Sequence, residues 1–108
     1  TIGDEAGIGP EVVKKALATH RVHKVCLPIV IGEPETLKVP LGRLSAKAGE
    51  YAMQCVRSAA AMAINGEIDA IVTAPISKGG IHKAGYKFEG HTDYLAYLTG
   101  AKEYSMMF

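Results

Sequence analysis

Apolar residues recur along this chain at helical spacing in some segments and as continuous runs in others. Residues 10–20 place their apolar side chains on one helical face and most of their charged side chains on the other. Pro10 stands where a first helical residue would, and its fixed φ and missing N–H suit that position. These features predict a helix from Pro10 to about His20.

Two further segments carry a helical pattern with recognisable ends. The longest covers residues 46–65, with Ser45 as its N-cap and Gly66 just after its last residue. Its apolar face is rich in glycine and alanine, so another element can approach it closely. A helix of about two turns follows Thr92, which is the predicted N-cap, and ends at Gly100.

Continuous apolar runs between these helices predict buried strands. Residues 25–31 form one run, although Pro28 would remove a ladder hydrogen bond. Residues 68–74 form a second run that is rich in β-branched side chains, and a third begins near residue 105. The alternation of helices and strands predicts an α/β fold with a largely parallel sheet. After the second strand, residues 77–80 are a predicted polar turn and residues 81–84 at most one helical turn.

Composition and charge narrow the functional class. The 108 residues are 48% hydrophobic and 21% charged, which is typical of a single globular domain. A net charge of +1, 6% aromatic residues and no Trp give no support for nucleic-acid binding. No apolar run is long enough to span a membrane. Cys26 and Cys55 lack CxxC spacing, which favours buried, reduced thiols and a cytoplasmic protein. Because the chain starts without Met and stops in an apolar run, we expect it to be a fragment.

Three segments that precede or follow predicted elements carry candidate chemistry. Residues 3–11 (GDEAGIGPE) are rich in glycine before a helix, as in phosphate-binding loops. No Gly-Lys-Ser/Thr follows, Val12 replaces the third glycine of a dinucleotide fingerprint, and three carboxylates would repel a phosphate. A tight turn that positions the helix is the alternative. In residues 73–80, Lys78 could supply a point charge to a phosphate or carboxylate, although polar loops after strands are common.

The third segment is Gly90-His91-Thr92-Asp93. An imidazole, a hydroxyl and a helix N-terminus meet here, which would suit an anionic or polyhydroxy ligand. The alternative is a plain cap with His91 merely exposed. We assign no metal ligands in the chain: His20 and His23 lie at a helix end without a third partner, and His82 has no ligand spacing. No HExxH or GxSxG motif is present.

Four motifs in one order give the chain a specific resemblance. Residues 3–11, 45–49, 69–78 and 90–96 together resemble the 4-hydroxythreonine-4-phosphate dehydrogenase family of vitamin B6 biosynthesis, over about its first third. Glu5 stands where the family has proline. Between the strand ending near Gly32 and the Gly-x-x-Ser segment, the family has several tens of residues and this chain about ten. We therefore expect a missing loop or subdomain within residues 33–45, with the break near 37–41.

The resemblance implies an N-terminal portion, residues 1–108, of a larger two-domain enzyme with a fold like that of isocitrate and isopropylmalate dehydrogenases. Such an enzyme is a homodimer that oxidises 4-phosphohydroxy-L-threonine with NAD or NADP, and decarboxylation then gives 3-amino-2-oxopropyl phosphate. The resemblance also implies a divalent metal (Zn, Mg or Mn) bound mainly by residues outside this chain. It gives His91 and Thr92 a role in substrate binding and implies that this portion alone cannot catalyse. The alternatives are a paralogue acting on 4-phosphothreonate or a cyclic diol carboxylate, and a non-catalytic fragment or binding module.

Overall fold

The computed structural model describes residues 1–34 and 36–107 of the chain. Within these residues the order of elements is helix after helix, with α3 at the centre because both α4 and α5 pack against it. The helices are α1 (Gly9–Leu17), α2 (His20–Val25), α3 (Ala46–Ile64), α4 (Lys78–Lys83) and α5 (His91–Thr99).

The long helix α3 forms where the sequence predicts it. The Ser45 hydroxyl oxygen accepts a hydrogen bond from the backbone N–H of Ala48 at 3.2 Å, so the predicted N-cap is confirmed. The helix ends at Ile64, and Gly66 follows with a φ of 72°. Small and apolar residues make up the face that α3 buries: Ala48, Gly49, Ala52, Met53, Cys55, Val56, Ala59 and Ala60.

Side chains from three helices form the core. Met53 and Val56 of α3 contact Ile81 of α4 and Tyr94 of α5, and all four are at most 1% exposed. The Tyr94 hydroxyl is not left unpaired, since it accepts a hydrogen bond from Arg57 Nε at 3.2 Å. Burial of these large apolar groups holds α5 against α3 and thereby fixes where α5 begins.

The approach of α4 to α3 depends on glycine. A Cβ atom built on Gly49 would lie 2.3 Å from the carbonyl carbon of Gly80, a backbone atom that cannot swing aside. The two helices therefore meet with their backbones in contact, as the small residues of the α3 pattern predicted. Ser77 is the N-cap of α4, and its hydroxyl oxygen accepts a hydrogen bond from the Gly80 N–H at 3.1 Å.

The predicted sheet is absent from the described part of the chain. Residues 25–31, 68–74 and 105–107 are not in strands there, and Phe108, the last residue of the third run, lies outside the described residues. Leu27 is 90% exposed, Val72 is 82% exposed and Met107 is 98% exposed. The prediction of strands in these three segments is thus wrong for this structure, as is the burial predicted for the first two. A strand forms only where a neighbouring segment offers backbone groups for hydrogen bonding, and few such hydrogen bonds are available to these three segments.

One short set of backbone hydrogen bonds has the pattern of paired parallel strands. The Thr1 amino group donates to the carbonyl oxygen of Val72 at 2.7 Å, and the Ala74 N–H donates to the Thr1 carbonyl oxygen at 3.2 Å. In parallel strands, one residue forms hydrogen bonds with the two residues that flank the position opposite it. Thr1 does so here with Val72 and Ala74. On the other side, the Ile2 N–H donates to the Ile31 carbonyl oxygen at 3.2 Å. The first residues therefore lie between the two segments that the sequence predicts as strands.

Two element boundaries also differ from prediction. The first helix ends at Leu17, and a separate helix, α2, covers His20–Val25, including the first residue of the predicted strand. The polar turn predicted at residues 77–80 is instead the start of α4, because the Ser77 cap allows the helix to begin at Lys78. Both Gly79 and Gly80 lie inside α4, and the backbone of Gly80 is in contact with Gly49 of α3.

Candidate functional site

The Asp93 carboxylate, not the Thr92 hydroxyl, stabilises the start of α5. The N-cap position is Gly90, so the prediction of Thr92 as N-cap is wrong. The Asp93 carboxylate accepts hydrogen bonds from the backbone N–H of Gly90 at 2.9 Å and of Glu89 at 2.5 Å. Burial acts to raise the pKa of Asp93, but these backbone donors outweigh it and the pKa is lowered. A carboxylate in the first turn also complements the helix dipole.

His91 occupies the first position of α5 and is half-buried. Its Nε2 atom is buried and has no hydrogen-bond partner among the described residues. Burial lowers the pKa of His91. The imidazole is therefore held in its neutral form near pH 7, in which Nε2 can either donate or accept one hydrogen bond according to the tautomer.

Thr1 contributes a second buried polar atom that lacks a hydrogen-bond partner in the described part of the chain. Its Oγ1 atom is buried and lacks a hydrogen-bond partner among the described residues. Thr92 follows His91 on the first turn of α5 and is half-buried too. Buried polar atoms are nearly always hydrogen-bonded in folded proteins, so the unpaired Nε2 atom makes the start of α5 a candidate site. The alternative of a plain cap with an exposed histidine does not describe this geometry.

Lys78 reaches the segment that leads into α5. Its Nζ atom donates to Glu89 Oε2 at 2.7 Å, an exposed ion pair that links the start of α4 to the residue before Gly90. The pKa of Lys78 is raised by this hydrogen bond, and the pKa of Glu89 is lowered by it. The cation that the sequence singles out is therefore beside the His91 segment, but it is paired with a carboxylate.

The glycine-rich segment at residues 3–11 forms a tight turn. The Asp4 carbonyl oxygen accepts from the Gly7 N–H at 3.0 Å, and Asp4 Oδ1 accepts from the Ala6 N–H at 2.7 Å. Gly3 has a φ of 73°, and a Cβ atom at this position would lie 2.4 Å from the Pro75 carbonyl oxygen. The turn thus packs on the segment after residue 73 and positions α1, which is the alternative that the sequence left open.

The remaining histidines and cysteines have local partners. His23 Nε2 lies 2.8 Å from the Leu17 carbonyl oxygen, and His82 Nε2 lies 2.9 Å from that of Phe88. Burial raises the pKa of Cys55, so this thiol stays protonated, whereas Cys26 is exposed. Across residues 1–34 and 36–107, no three His, Cys, Asp or Glu side chains are grouped closely enough to hold a metal ion.

Sequence reasoning missed two groups at this site. The motif at residues 90–93 pointed to His91, but nothing signalled that Thr1, ninety residues earlier, would lie near it. Glu89 was also missed, although its position eleven residues after Lys78 in a polar stretch was a weak signal.

In the described part of the chain, no helix combines the length and the apolar character that crossing a membrane requires.

Comparison with known sequences identifies the family. A profile of the family described as pyridoxal phosphate biosynthetic protein PdxA matches residues 6–108. D-threonate 4-phosphate dehydrogenase of Cupriavidus necator is 38% identical, over 99% of this chain and 44% of its own length. A 4-hydroxythreonine-4-phosphate dehydrogenase of Trichlorobacter lovleyi is 29% identical, over 99% of this chain and 44% of its own length.

A solved structure agrees with the sequence matches. The crystal structure of a 4-hydroxythreonine-4-phosphate dehydrogenase from Burkholderia phymatum superposes with a TM-score of 0.89 at 35% identity, over 94% of this chain and 43% of that protein. The chain spans less than half the length of these relatives. The chain belongs to the PdxA family, and the resemblance that its four motifs indicated is confirmed.

Proposed function

We propose that this chain supplies the substrate-binding histidine and threonine of a dehydrogenase that acts on a phosphorylated four-carbon hydroxy acid. Its membership of the PdxA family, whose relatives are named as dehydrogenases of such compounds, supports an oxidoreductase. The observation that carries the proposal is the buried, unpaired Nε2 atom of His91 at the start of α5. A substrate hydroxyl or carboxylate would supply the missing hydrogen bond.

In this proposal, His91 and Thr92 bind and orient the substrate. NAD or NADP, when bound, would supply the acceptor for the hydride on C3 of the substrate. Loss of that hydride and of the 3-hydroxyl proton would leave a β-keto acid, which would lose CO₂. A neutral imidazole can bond to the substrate without the cost of burying a second charge, and lowering of the His91 pKa by burial favours that form. Thr92 offers a hydroxyl one residue away.

A divalent metal in the active site would polarise the hydroxyl and then the ketone. The described residues do not fit a complete metal site, because they contain no group of three suitable ligands. We therefore propose, as the sequence resemblance implied, that the ligands of a Zn, Mg or Mn ion lie outside this chain. The same holds for most contacts to the NAD or NADP cofactor. The homodimer and the cytoplasmic location also remain proposals of this kind.

The candidate substrates differ only at C2, which carries an amine in 4-phosphohydroxy-L-threonine and a hydroxyl in D-threonate 4-phosphate. The first is the substrate that the four-motif resemblance implied. The Cupriavidus necator relative, 38% identical, favours the second. Groups that distinguish an amine from a hydroxyl are not assigned among residues 1–108.

The relatives also support a shortened segment in this chain. The match to the Cupriavidus necator protein extends over 146 residues, whereas the chain has 108. We propose that the difference falls within residues 33–45, where the family spacing is reduced. Glu35 in this interval lies outside the described residues. Intact mass and peptide mapping of the purified protein test this, since an uninterrupted peptide with the sequence of residues 37–41 is expected only if no further residues intervene there.

The central experiment measures turnover of both substrates by the full-length protein that carries this chain. Reduction of NAD and of NADP is followed with each substrate in the presence of Mg²⁺, Mn²⁺ or Zn²⁺. His91→Ala is expected to lower kcat/KM by roughly tenfold or more through loss of a buried hydrogen bond, while cofactor affinity stays within about twofold. His20→Ala, at an exposed position, is the matched control. No reduction with either substrate, or unchanged kcat/KM in His91→Ala, would overturn the proposal; the former outcome favours a non-catalytic binding module.

A further inference from the structure

The chain that leads into α5 is held by α4 and by α5 itself as far as Glu89. The Phe88 ring packs against the buried Tyr94 ring, with centroids 4.8 Å apart, and the Phe88 carbonyl oxygen lies 2.9 Å from His82 Nε2 of α4. One residue later, the Lys78–Glu89 ion pair adds an exposed contact, which stabilises the segment only slightly. These contacts end two positions before the histidine of the candidate site.

The Asp93 carboxylate holds the last two peptide N–H groups before His91. Its Oδ2 atom accepts a hydrogen bond from the Glu89 N–H at 2.5 Å, and its Oδ1 atom accepts one from the Gly90 N–H at 2.9 Å. Hydrogen bonds to an ionised carboxylate are about twice as strong as those between neutral groups. Because the pKa of Asp93 is lowered, the carboxylate is ionised at neutral pH, and both of its oxygens have backbone donors.

Gly90 is the residue whose freedom these hydrogen bonds restrict. A Cβ atom at this position would meet no atom of the described residues within 4 Å, and glycine has the widest choice of backbone conformations. The Nε2 atom of the adjacent His91 has no hydrogen-bond partner among the described residues, so no bond at that atom orients the ring. The direction of the imidazole therefore depends on how the backbone at Gly90 is held.

From this arrangement we infer that Asp93 is a positioning residue for His91. By holding the N–H groups of Glu89 and Gly90, its carboxylate sets the direction in which His91 presents Nε2 to the substrate. Asp93 does not contact the substrate in this inference, because backbone donors already occupy both of its oxygens. The inference rests on the substrate-binding role proposed for His91. Misplacement of a binding group by about 1 Å can lower a rate by about 100-fold, so the loss of one such anchor is measurable.

Kinetics of the full-length protein with 4-phosphohydroxy-L-threonine and with D-threonate 4-phosphate test the inference. Asp93→Ala removes both acceptor oxygens and should lower kcat/KM about fivefold. Asp93→Glu keeps two carboxylate oxygens at a position where glutamate also serves in a capping box, and it should restore most of the lost activity. Asp93→Asn retains one acceptor oxygen, is the milder change for folding, and should lie between the wild type and Asp93→Ala. Full activity of Asp93→Ala, or no recovery in Asp93→Glu, would overturn the inference.

Ser45→Ala is the control for a loss of stability without a loss of position. It removes the acceptor oxygen at the start of α3, so it should lower the thermal unfolding midpoint much as Asp93→Ala does. Its kcat/KM should nevertheless stay within about twofold of the wild type. If kcat/KM fell equally in the two variants, Asp93 would act through stability alone and the inference would be wrong.

A double-mutant cycle shows whether Asp93 acts through His91. Adding Asp93→Ala to His91→Ala should change kcat/KM by less than about 1.5-fold, because no imidazole is left to be positioned. A further loss as large as that of Asp93→Ala alone would show independent action and would overturn the inference. The proposed function fails by a separate result, an unchanged kcat/KM in His91→Ala, and the inference then fails with it.

Discussion

The helical core and the apolar segment at residues 26–31 both carry large apolar side chains, but in opposite surroundings. In the core, Ile81 is fully buried between helices that satisfy their own backbone hydrogen bonds. In the segment, Leu27 is 90% exposed, and the described backbone hydrogen bonds to other segments are those of Cys26 with Val22 and of Ile31 with Ile2. Large apolar side chains are therefore buried in one region and exposed in the other.

The two regions differ in where their backbone groups find hydrogen-bond partners. A helix forms its hydrogen bonds locally, so α3, α4 and α5 need only their apolar faces to associate. A strand must find its partners in another segment, which here is limited to the first residues of the chain. The relatives are more than twice as long as this chain.

The largest effect expected on stability separates these two regions directly. Ile81→Ala removes a fully buried side chain from the core and should lower the free energy of unfolding by about 2–5 kcal/mol. Leu27→Ala removes an exposed side chain and should change it by less than about 0.5 kcal/mol. Urea unfolding followed by circular dichroism measures both. A loss in Leu27→Ala as large as that in Ile81→Ala would mean that residues 25–31 are covered in the protein.

The close contact of α3 with α4 gives the next largest effect. Gly49→Ala places a Cβ atom against the Gly80 backbone and should destabilise the protein by about 1–3 kcal/mol, although alanine has the higher helix propensity. Glu50→Ala, at the exposed neighbouring position, is the control and should be close to neutral. If Gly49→Ala were instead stabilising in the same unfolding experiment, the two backbones would not be in contact.

Much of the helical core was predictable because its signals are local. Ser45 and Gly66 mark the ends of α3, and the Gly and Ala residues of its buried face indicated a close neighbour. The strands were mispredicted because periodicity reports that a segment is apolar, not whether a partner exists for it. The split of the first helix at Leu17 and the early start of α4 at Lys78 likewise depended on caps and contacts that periodicity does not contain.

The candidate site was predictable in its residues but not in its geometry. His91 and Thr92 were named from one motif and its family resemblance, and the structure places them on the first turn of a helix. Their role in binding remains a proposal. The contact of Asp93 with Gly90 spans only three residues, whereas the approach of Thr1 to the His91 segment joins residues far apart in sequence. Local sequence reasoning has no means to detect such contacts.

The cap of α3 offers a smaller effect that again concerns local stabilisation. Ser45→Ala removes the acceptor for the Ala48 N–H and should cost about 1 kcal/mol in the free energy of unfolding. Ser58→Ala, on the exposed face of the same helix, is chemically identical but removes no cap and should be neutral or slightly stabilising. Equal effects of the two substitutions would show that Ser45 does not cap the helix.

The smallest expected effect, a pH dependence, tests whether His91 is held in the folded protein as described. Burial lowers its folded-state pKa below the ordinary value of 6.5, so between the two values the unfolded chain binds more protons. Stability due to this group is therefore complete above about pH 6.5 and falls as the pH drops through the lowered pKa. His91→Gln should lessen the decline in unfolding free energy between about pH 7.5 and pH 5, whereas His20→Gln, at an exposed position, should not. If both variants followed the wild-type profile, the His91 imidazole would be as accessible to protons in the folded as in the unfolded chain, and Nε2 would have no need of a ligand partner.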